Sequence, residues 1–469
     1  MPDRSRQRST APGAARRAVV IGSGPVGAVA VRRLAESGCE TTLIEAGERI
    51  LLPDLPGARP GEHVRNQPIL QRQPDAFQIE ALSRLTFYDL SAPPEGLPGA
   101  SETIAFGGQG LIWTNNCPRT QAGLDRPPGF DDDTWERRYA QAEALLSVTT
   151  DPLGHSERQT RVAGRLTTHL TGSGRRVERL PIAGRADGDA IHYTATADIL
   201  AGIAATAPSL EIRCGTRAVR IEHGSRRATS VCVATATGEE RLEADALVVA
   251  AGVSATPRLL FASDVRLPAL GRWLHYHPLL LAQLMLDEEL SAPAGRADPP
   301  PRLWIPPTRR APWHAMVLRD LGAGLPEEPA DERRLIELQF FAPVEPRAEH
   351  CMRLDGTVPR FDVRLSERDR ATLDVMRADA DAVGRALGRW RKGCEPSWNP
   401  WGFSHPMGTT RMGDDPATSV VDRYGRVHGM ENLYVAGTSL LPGPMAVNPT
   451  LTAVALALEM VDALVRAPA

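Results

Sequence analysis

Residues 18–47, AVVIGSGPVGAVAVRRLAESGCETTLIEAG, decide the fold. The run AVVI at 18–21 is short and continuously apolar, which predicts a buried strand. The apolar residues of AVAVRRLAESG then recur at helical spacing as far as Gly38, where we expect the helix to stop. CETTLIEAG has the composition of a second strand. The stretch therefore predicts a β-turn-α-β unit, the building block of a parallel sheet.

The turn of this unit carries three spaced glycines, Gly22-x-Gly24-x-x-Gly27. In dinucleotide-binding folds the first glycine allows the tight turn, the second lets the backbone approach a pyrophosphate, and the third lets the helix pack on the strand. The helix N-terminus then faces the phosphates. Glu45 closes the second strand 18 residues after Gly27, where a carboxylate can accept the hydroxyls of an adenosine ribose with a free 2′-OH. We therefore expect a bound dinucleotide at this turn.

A second glycine-rich stretch, residues 105–119, is AFGGQGLIWTNNCPR. It is too apolar for a solvated loop and too rich in glycine for the interior of a strand or helix. Glycine pairs mark sharp turns or places where a ligand touches the backbone. The stretch therefore predicts a loop that wraps a ligand.

The C-terminal part of the chain holds the densest chemical signal. His405 stands among small and apolar residues in GFSHPMGTTRMG, and Asn448 lies 43 residues later, where Pro449-Thr450 open a predicted apolar helix. The predicted strand NLYVAGTSLLP ends toward the same place, as strand ends do in this type of sheet. A histidine is suited to take a proton near neutral pH, and a neighbouring asparagine can hold the same hydroxyl group. His428, in a polar turn, is interpreted as structural.

The rest of the chain predicts secondary structure more coarsely. Residues 66–100 and 121–189 are rich in loops, with a helix near 131–147 that Asp133 would cap. From 209 onward we expect the following elements in chain order: a strand, a hairpin and a strand over 209–250, a helix opening at Thr256-Pro257, an irregular proline-rich segment over 271–330, strands of a second, antiparallel sheet within 334–365, and a helix over about 367–388.

Composition excludes several classes of protein. The 469 residues carry a formal net charge of −3, which gives no electrostatic case for nucleic-acid binding. No apolar run reaches the length of a membrane span, so we expect no membrane partner. The six cysteines form no CxxC pair, which argues against zinc and against a disulfide framework and favours a cytoplasmic location. Residues 1–17 are basic and predict a disordered tail; Arg16-Arg17 imitates a twin-arginine signal, but no cleavage site follows.

Four motifs occur in the order that is found in the glucose–methanol–choline (GMC) family of FAD-dependent oxidoreductases, which the chain resembles over nearly its whole length. They are GSGPVG with LIEAG, FGGQGLIWTNN, ALVVAAGVSATPRLL with LGRWLHYHP, and SHPMGTTRMG with GMENLYVAGTSLLP and NPTLTAVALA. The second motif is most similar to that of pyranose 2-oxidases and related sugar or glycoside oxidases. The resemblance implies an α/β FAD-binding Rossmann-like domain from residues 18–125, 190–265 and 396–469, and a substrate domain with a largely antiparallel sheet from 126–189 and 266–395.

The resemblance also implies roles for single residues. His405 is the expected base and Asn448 the second catalytic residue, with Thr114 near the flavin edge. Some relatives bond the flavin covalently through a histidine that aligns with Ile112, so FAD is expected to be non-covalent here. His275 and His277 are assigned no catalytic role. The expected FAD-binding residues are Gly22, Gly24, Pro25, Gly27, Glu45, Ala46, Gly107, Gly108, Gly110, Trp113, Thr114, Asn115, Val219, Ala251, Gly252, Gly437, Thr438, Asn448, Pro449 and Thr450.

The expected function is oxidation of a small-molecule alcohol, on a sugar, a glycoside or a glycosylated natural product, by hydride transfer to flavin N5. The electron acceptor, oxygen or another, stays open. The alternatives are a lyase that keeps FAD as structure, a flavin monooxygenase, for which no second GxGxxG site is found, and an inactive binding protein. No metal is expected.

Overall fold

The computed structural model describes residues 16–49, 59–66, 96–97, 102–203, 207, 209–295, 298–319, 331–355, 360–399 and 404–467. The predicted tail up to residue 15, and the loops predicted within 67–95 and 98–101, lie outside the described residues. The helices are α1 Pro25–Glu36, α2 Asp132–Leu146, α3 Glu157–His169, α4 Thr196–Ile199, α5 Gly252–Ala262, α6 Glu367–Leu387 and α7 Thr450–Arg466.

The strands are two to eight residues long. In chain order they are β1 Arg17–Ile21, β2 Glu40–Ile44, β3 Val148–Thr149, β4 Glu178–Arg179, β5 Ile182–Asp187, β6 Ala190–Tyr193, β7 Leu210–Arg213, β8 Arg217–His223, β9 Ala228–Thr235, β10 Gly238–Glu243, β11 Ala246–Val249, β12 His275–His277, β13 Leu279–Leu286, β14 Leu303–Ile305, β15 His314–Leu318, β16 Leu335–Phe341, β17 Cys351–Arg353, β18 Arg360–Asp362, β19 Gly388–Trp390, β20 Ser397–Trp398, β21 Ser404–Met407 and β22 Leu433–Val435.

The β-turn-α-β unit is confirmed, with β1 and β2 pairing in parallel and α1 between them in the chain. β1 begins at Arg17, so the predicted tail ends one residue earlier than expected. A five-stranded parallel sheet has the order β22-β11-β1-β2-β7. The strands β1, β11 and β22 are buried on both faces, which explains their continuous apolar runs, whereas β7 at the edge is partly exposed.

A second, antiparallel sheet forms the other major layer. Its strand order is β19-β13-β16-β15-β14-β4, and β20 also pairs with β13. One face of this sheet packs into an apolar core with α3 and α6. Side chains alternate between the two faces of a strand, so the residues of β16 at odd numbers lie on the opposite face. This opposite face is turned toward the parallel-sheet side, because Phe341 joins the core cluster that surrounds the parallel sheet.

The prediction that 271–330 is irregular is wrong, because this segment supplies β13, β14 and β15. β13 is the run LLLAQLML, which has no alternation of polar and apolar residues because it is buried on both faces. The strands predicted within 334–365 do not share one sheet either. β16 belongs to the large sheet, whereas β18 forms a two-stranded sheet with β17 among the described residues. The helix predicted over about 367–388 is confirmed as α6.

Two predicted helix starts are corrected. Asp131, not Asp133, caps α2, since its carboxylate accepts a hydrogen bond from the Thr134 N–H at 2.8 Å. α5 begins at Gly252 and contains Pro257, which cannot donate to the carbonyl four residues earlier. The Thr409 hydroxyl donates to that Val253 carbonyl at 2.6 Å and so satisfies it.

A two-stranded antiparallel ribbon, β12 with β21, connects the large antiparallel sheet to the C-terminal segments. Its register is irregular between His275 and His277. No helix in the described part of the chain is both long and apolar enough to cross a membrane.

Candidate active site

The glycine motif forms a close-packed turn with one open position. Gly22 has φ +103°, and a Cβ there would lie 2.5 Å from the Ala250 carbonyl oxygen. A Cβ on Gly27 would lie 2.1 Å from the Gly22 carbonyl oxygen, so α1 could not pack on β1 with a larger residue. Gly24 caps α1 without a side-chain hydrogen bond and has no heavy atom within 4 Å of its Cβ position. Backbone N–H groups at this helix end are therefore accessible to an anion.

The loop of residues 107–110 packs directly on this turn. Gly107 and Gly108 both have positive φ, at +114° and +50°. A Cβ on Gly108 would lie 3.3 Å from the Gly24 Cα, and one on Gly110 would lie 2.9 Å from the Pro25 Cγ. The two glycine-rich stretches that the sequence separates by about 80 residues thus form one surface.

Glu45 lies below this surface and holds it together. Its Oε2 accepts hydrogen bonds from the Ser23 N–H at 3.0 Å and the Ser23 hydroxyl at 2.6 Å, and its Oε1 accepts from the Gly47 N–H at 2.9 Å. Ser23 Oγ in turn accepts from the Gly107 N–H at 2.8 Å. Burial raises the pKa of Glu45, and these hydrogen bonds oppose the rise. Since a carboxylate offers about four acceptor positions, at most one is left for a ribose hydroxyl.

The other predicted FAD residues lie at the carboxyl ends of neighbouring strands. Ala251 and Gly252 follow β11, and Gly437 and Thr438 follow β22. The two strand ends are adjacent, because the Ala436 N–H donates to the Val249 carbonyl at 2.9 Å. Thr438 also links the end of β22 to β21, since its hydroxyl donates to the Pro406 carbonyl at 2.9 Å.

Val219 and the start of α7 complete the predicted set. Val219 is half-buried on β8, three residues after Thr216, whose N–H donates to the Glu45 carbonyl at 2.8 Å. Pro449 caps α7 without a side-chain hydrogen bond, and Thr450 is its first helical residue. Ala46 is half-buried directly after Glu45.

Residues 112–114 show which part of the second loop is accessible. Ile112 is buried and ends a short 3-10 turn, whereas Trp113 and Thr114 are half-buried. Trp113 is fixed by two hydrogen bonds: its indole N–H donates to the Thr194 carbonyl at 3.1 Å, and its carbonyl accepts from His63 Nε2 at 2.9 Å. The aromatic ring is therefore held in one position.

The Asn115 side chain makes more hydrogen bonds within the protein than we expect for a residue that binds FAD. It has φ +58°, and its amide donates to the carbonyls of Ala183 and Thr194, both at 2.8 Å. Only its buried Oδ1 lacks a partner among the described residues. Asn115 thus anchors the loop, and its side chain offers a ligand one acceptor.

His405 and Asn448 come together, as the sequence predicts. Asn448 Nδ2 lies 3.2 Å from His405 Nε2. The other ring nitrogen of His405, Nδ1, lies 3.0 Å from Nδ1 of His277. His277 Nε2 lies 2.6 Å from the Met445 carbonyl oxygen. These four residues form a continuous hydrogen-bonded chain, which we call the histidine chain.

The backbone at His405 is in the left-handed region, with φ +53°. Such a conformation costs about 1–3 kcal/mol for a residue other than glycine and is concentrated at functional sites. His405 lies on β21, whose pairing with β12 is irregular, and its imidazole contacts His277.

The histidine chain lies in apolar surroundings. The Phe341 ring lies 5.0 Å from the His405 ring and 5.1 Å from the His314 ring, measured between centroids. Burial, together with a smaller contribution from nearby His314, lowers the pKa of His405 to about 3. Burial likewise lowers the pKa of His277 and of His314 well below its ordinary value. All three imidazoles are therefore neutral near pH 7.

Asp125 supports the segment that leads to Asn448. The Asp125 carboxylate accepts hydrogen bonds from the Gln121 N–H at 2.7 Å and from the Ala446 N–H at 3.3 Å. Burial raises its pKa, and these backbone donors oppose the rise. Asp125 therefore fixes the backbone between Met445 and Asn448.

The sequence did not identify His277, Asp125 or Phe341 as parts of this site. One signal was available for His277: two histidines separated by one residue, in HYH, lie on the same face of a strand. His428, interpreted as structural, bonds Ser419 Oγ at 2.8 Å and is not part of the histidine chain.

Comparison with known proteins identifies the family. Two GMC oxidoreductase family models match residues 195–279 and 347–457. A C-glycoside 3-oxidase from Microbacterium trichothecenolyticum is 30% identical, over 94% of this chain and 94% of that protein. The chain belongs to the GMC oxidoreductase family.

Other GMC oxidoreductases are similar over comparable lengths. A pyranose 2-oxidase from Emericella nidulans is 27% identical, over 94% of this chain and 90% of that protein. The crystal structure of pyridoxine 4-oxidase from Mesorbium loti has a TM-score of 0.66 at 19% identity, and the match covers 96% of this chain and 99% of that one, which shows a shared fold. As a member of this family, which uses FAD, the protein is an FAD-dependent enzyme that acts on CH–OH groups.

Proposed function

We propose that this GMC oxidoreductase oxidises a secondary or primary alcohol of a sugar or glycoside to a carbonyl, with His405 as the base. The observation that carries the proposal is the pairing of His405 Nε2 with Asn448 Nδ2 at 3.2 Å, where β21 and the start of α7 meet. Similarity to a C-glycoside 3-oxidase and a pyranose 2-oxidase supports the substrate class.

The residues of the glycine surface fit FAD. The open position at Gly24 and the N-terminus of α1, which has no side-chain cap, would receive the pyrophosphate. The remaining acceptor position of Glu45 would receive a ribose hydroxyl. Trp113 and Thr114 would line the flavin. Ile112 has no nucleophilic atom, so FAD would be held without a covalent bond. When bound, FAD would supply the hydride acceptor.

The protein's own contribution is to place the alcohol and take its proton. The substrate hydroxyl would replace the direct bond between the two side chains, with its oxygen accepting from Asn448 Nδ2 and its hydrogen donated to His405 Nε2. Near-apolar surroundings and the low pKa keep His405 in the neutral form that can accept a proton. The Phe341 ring excludes water from one side of the imidazole.

The face of the large antiparallel sheet that carries Phe341 supports a substrate with several hydroxyl groups. His314 pairs with Phe341 across β15 and β16, and Gln339 lies on the same face two residues before Phe341. Trp304 Nε1 donates to His314 Nδ1 at 3.0 Å, so His314 carries its hydrogen on Nε2. That His314 N–H and the Gln339 amide are buried donors without a partner among the described residues. Sugar hydroxyls would satisfy such donors.

The test is anaerobic stopped-flow spectroscopy of flavin reduction, preceded by a screen of free sugars, C-glycosides, O-glycosides and simple alcohols for bleaching of the flavin. The His405→Ala variant should retain its flavin, but the rate at which substrate reduces that flavin should fall about 10²–10⁴-fold, which is the usual cost of losing a general base. Asn448→Ala should lose less, because the asparagine orients the hydroxyl and does not take the proton. His428→Ala is the control, since this histidine lies outside the histidine chain.

A parental rate of reduction in His405→Ala would contradict the assignment of the base. Failure of every alcohol to bleach the flavin, with conversion of a substrate that leaves the flavin oxidised, would favour a lyase on the same scaffold.

A further inference from the structure

We infer that His277 is a positioning residue, which holds His405 in the tautomer whose Nε2 is free to accept a proton. The inference rests on the proposed function of His405 and concerns the tautomer that this function requires. An imidazole can act as a base only through a nitrogen that carries no hydrogen. Which nitrogen this is depends on the hydrogen bonds at both ends of the ring.

The assignment starts at the Met445 carbonyl, which can only accept a hydrogen bond. His277 Nε2 lies 2.6 Å from that oxygen, so Nε2 must carry a hydrogen. A neutral imidazole has one N–H, and His277 is fully buried among other imidazoles with a pKa well below its ordinary value. Its Nδ1 is therefore an acceptor.

The same logic then passes to His405. Its Nδ1 lies 3.0 Å from the acceptor Nδ1 of His277, so the His405 hydrogen is on Nδ1. Its Nε2 keeps a lone pair and accepts from Asn448 Nδ2 at 3.2 Å. Every hydrogen bond of the histidine chain thus runs in one direction, from Asn448 toward Met445.

Without the fixed end at Met445, the opposite direction would satisfy the same groups. His405 would carry its hydrogen on Nε2 and donate it to Asn448 Oδ1 after rotation of the amide. That arrangement would even give a partner to Asn448 Oδ1, which has none among the described residues. His405 would then present an N–H to the substrate hydroxyl and could not take its proton. The contact between His277 and the Met445 carbonyl selects the productive direction.

The backbone keeps this contact in place. His277 lies on β12, and the Met445 carbonyl precedes the Ala446 N–H that donates to buried Asp125. His275, two residues from His277 on the same strand, directs both ring nitrogens to groups other than His405. Its ring nitrogens lie 2.9 Å and 3.0 Å from the carbonyls of Trp273 and Gly443. It therefore provides a matched control.

The first measurement uses the unsubstituted holoenzyme with ¹⁵N-labelled histidine. The spectrum of His405→Ala, from which the signals of that residue are missing, identifies the signals of His405. We expect the shift of a protonated nitrogen at His405 Nδ1 and of an unprotonated nitrogen at Nε2. A hydrogen on Nε2 in the parent would overturn the inference whatever the variants do.

The second measurement compares variants by anaerobic flavin reduction. His277→Phe keeps a ring but has no acceptor, so its reduction rate should fall about 10²–10⁴-fold, as if the base were removed. Its FAD content and substrate dissociation constant should change little, and higher pH should not restore the rate, because a tautomer and not an ionisation is wrong. His277→Asn places an amide oxygen near the former Nδ1 and should recover most of the loss.

His275→Phe should lower stability and leave the ¹⁵N pattern of His405 unchanged. Parental rate and parental ¹⁵N pattern in His277→Phe would overturn the role of His277 while the proposed function stands. If His277→Phe does not fold, the parent spectrum and the rate of His277→Asn decide. A parental rate in His405→Ala would instead refute the proposed function itself.

Discussion

Replacing Glu45 with alanine should lower both the stability of the folded apoprotein and its affinity for FAD. The carboxylate is buried and accepts from the N–H groups of Ser23 and Gly47. Each buried donor that loses its acceptor costs about 1–3 kcal/mol, so the two together should lower the free energy of unfolding by about 2–6 kcal/mol. The Ser23 hydroxyl can rotate to another partner and is left out of this sum.

The effect on FAD should be smaller than the number of ribose hydroxyls suggests. At most one acceptor position of Glu45 remains for the ribose, so at most one charged hydrogen bond is lost, worth about 1.5–3 kcal/mol or about a 10- to 150-fold rise in the dissociation constant. Urea unfolding of the apoprotein and titration of FAD fluorescence measure the two quantities. Glu48→Ala, an exposed residue with the same change of charge, is the control. An apoprotein of parental stability would refute the reasoning.

Three further predictions concern other parts of the site. Acid or heat should release FAD from the polypeptide, because Ile112 offers no atom for a covalent bond; flavin that migrates with the denatured chain would contradict this. Lowering the pH from 6.5 to 5 should destabilise the fold by about 1.6 kcal/mol for each of His63, His275 and His405, because their pKa values of about 3, 4 and 3 let only the unfolded chain bind the proton; urea unfolding at a series of pH values checks the slope. Asp125→Asn should slow flavin reduction by at least about tenfold at unchanged FAD content. An amide oxygen cannot accept from both the Gln121 and the Ala446 N–H groups, and small misplacements of catalytic groups are costly. A parental rate would show that the backbone before Asn448 is held by other contacts.

Local sequence predicted the features whose partners are close along the chain. The turn from Gly22 to Gly27 and the strands around it depend on residues within one unit, and all are present. His405 and Asn448 were found because each stands in a distinctive short motif.

The remaining features depend on contacts between distant segments. His277 acts through an irregular pairing of β12 with β21, and 128 residues separate it from His405. Pro257 disfavours a helix by its own chemistry, and the hydroxyl of Thr409, from a distant segment, replaces the hydrogen bond that Pro257 cannot make inside α5. β13 has no polar alternation, so its sequence fits a strand and a buried helix equally well.

The strand order of the parallel sheet has a consequence for synthesis. β1 lies beside β11, and β11 lies beside β22, which ends at Val435. At about 5–20 residues per second, roughly 20–80 s pass between synthesis of Ile21 and of Val435. During that interval the apolar edge of β1 has no neighbour on one side until β11 emerges, and the half of the cofactor surface that follows β22 does not exist. The parallel sheet and the loop that follows β22 can therefore be completed only after Val435 has been synthesised.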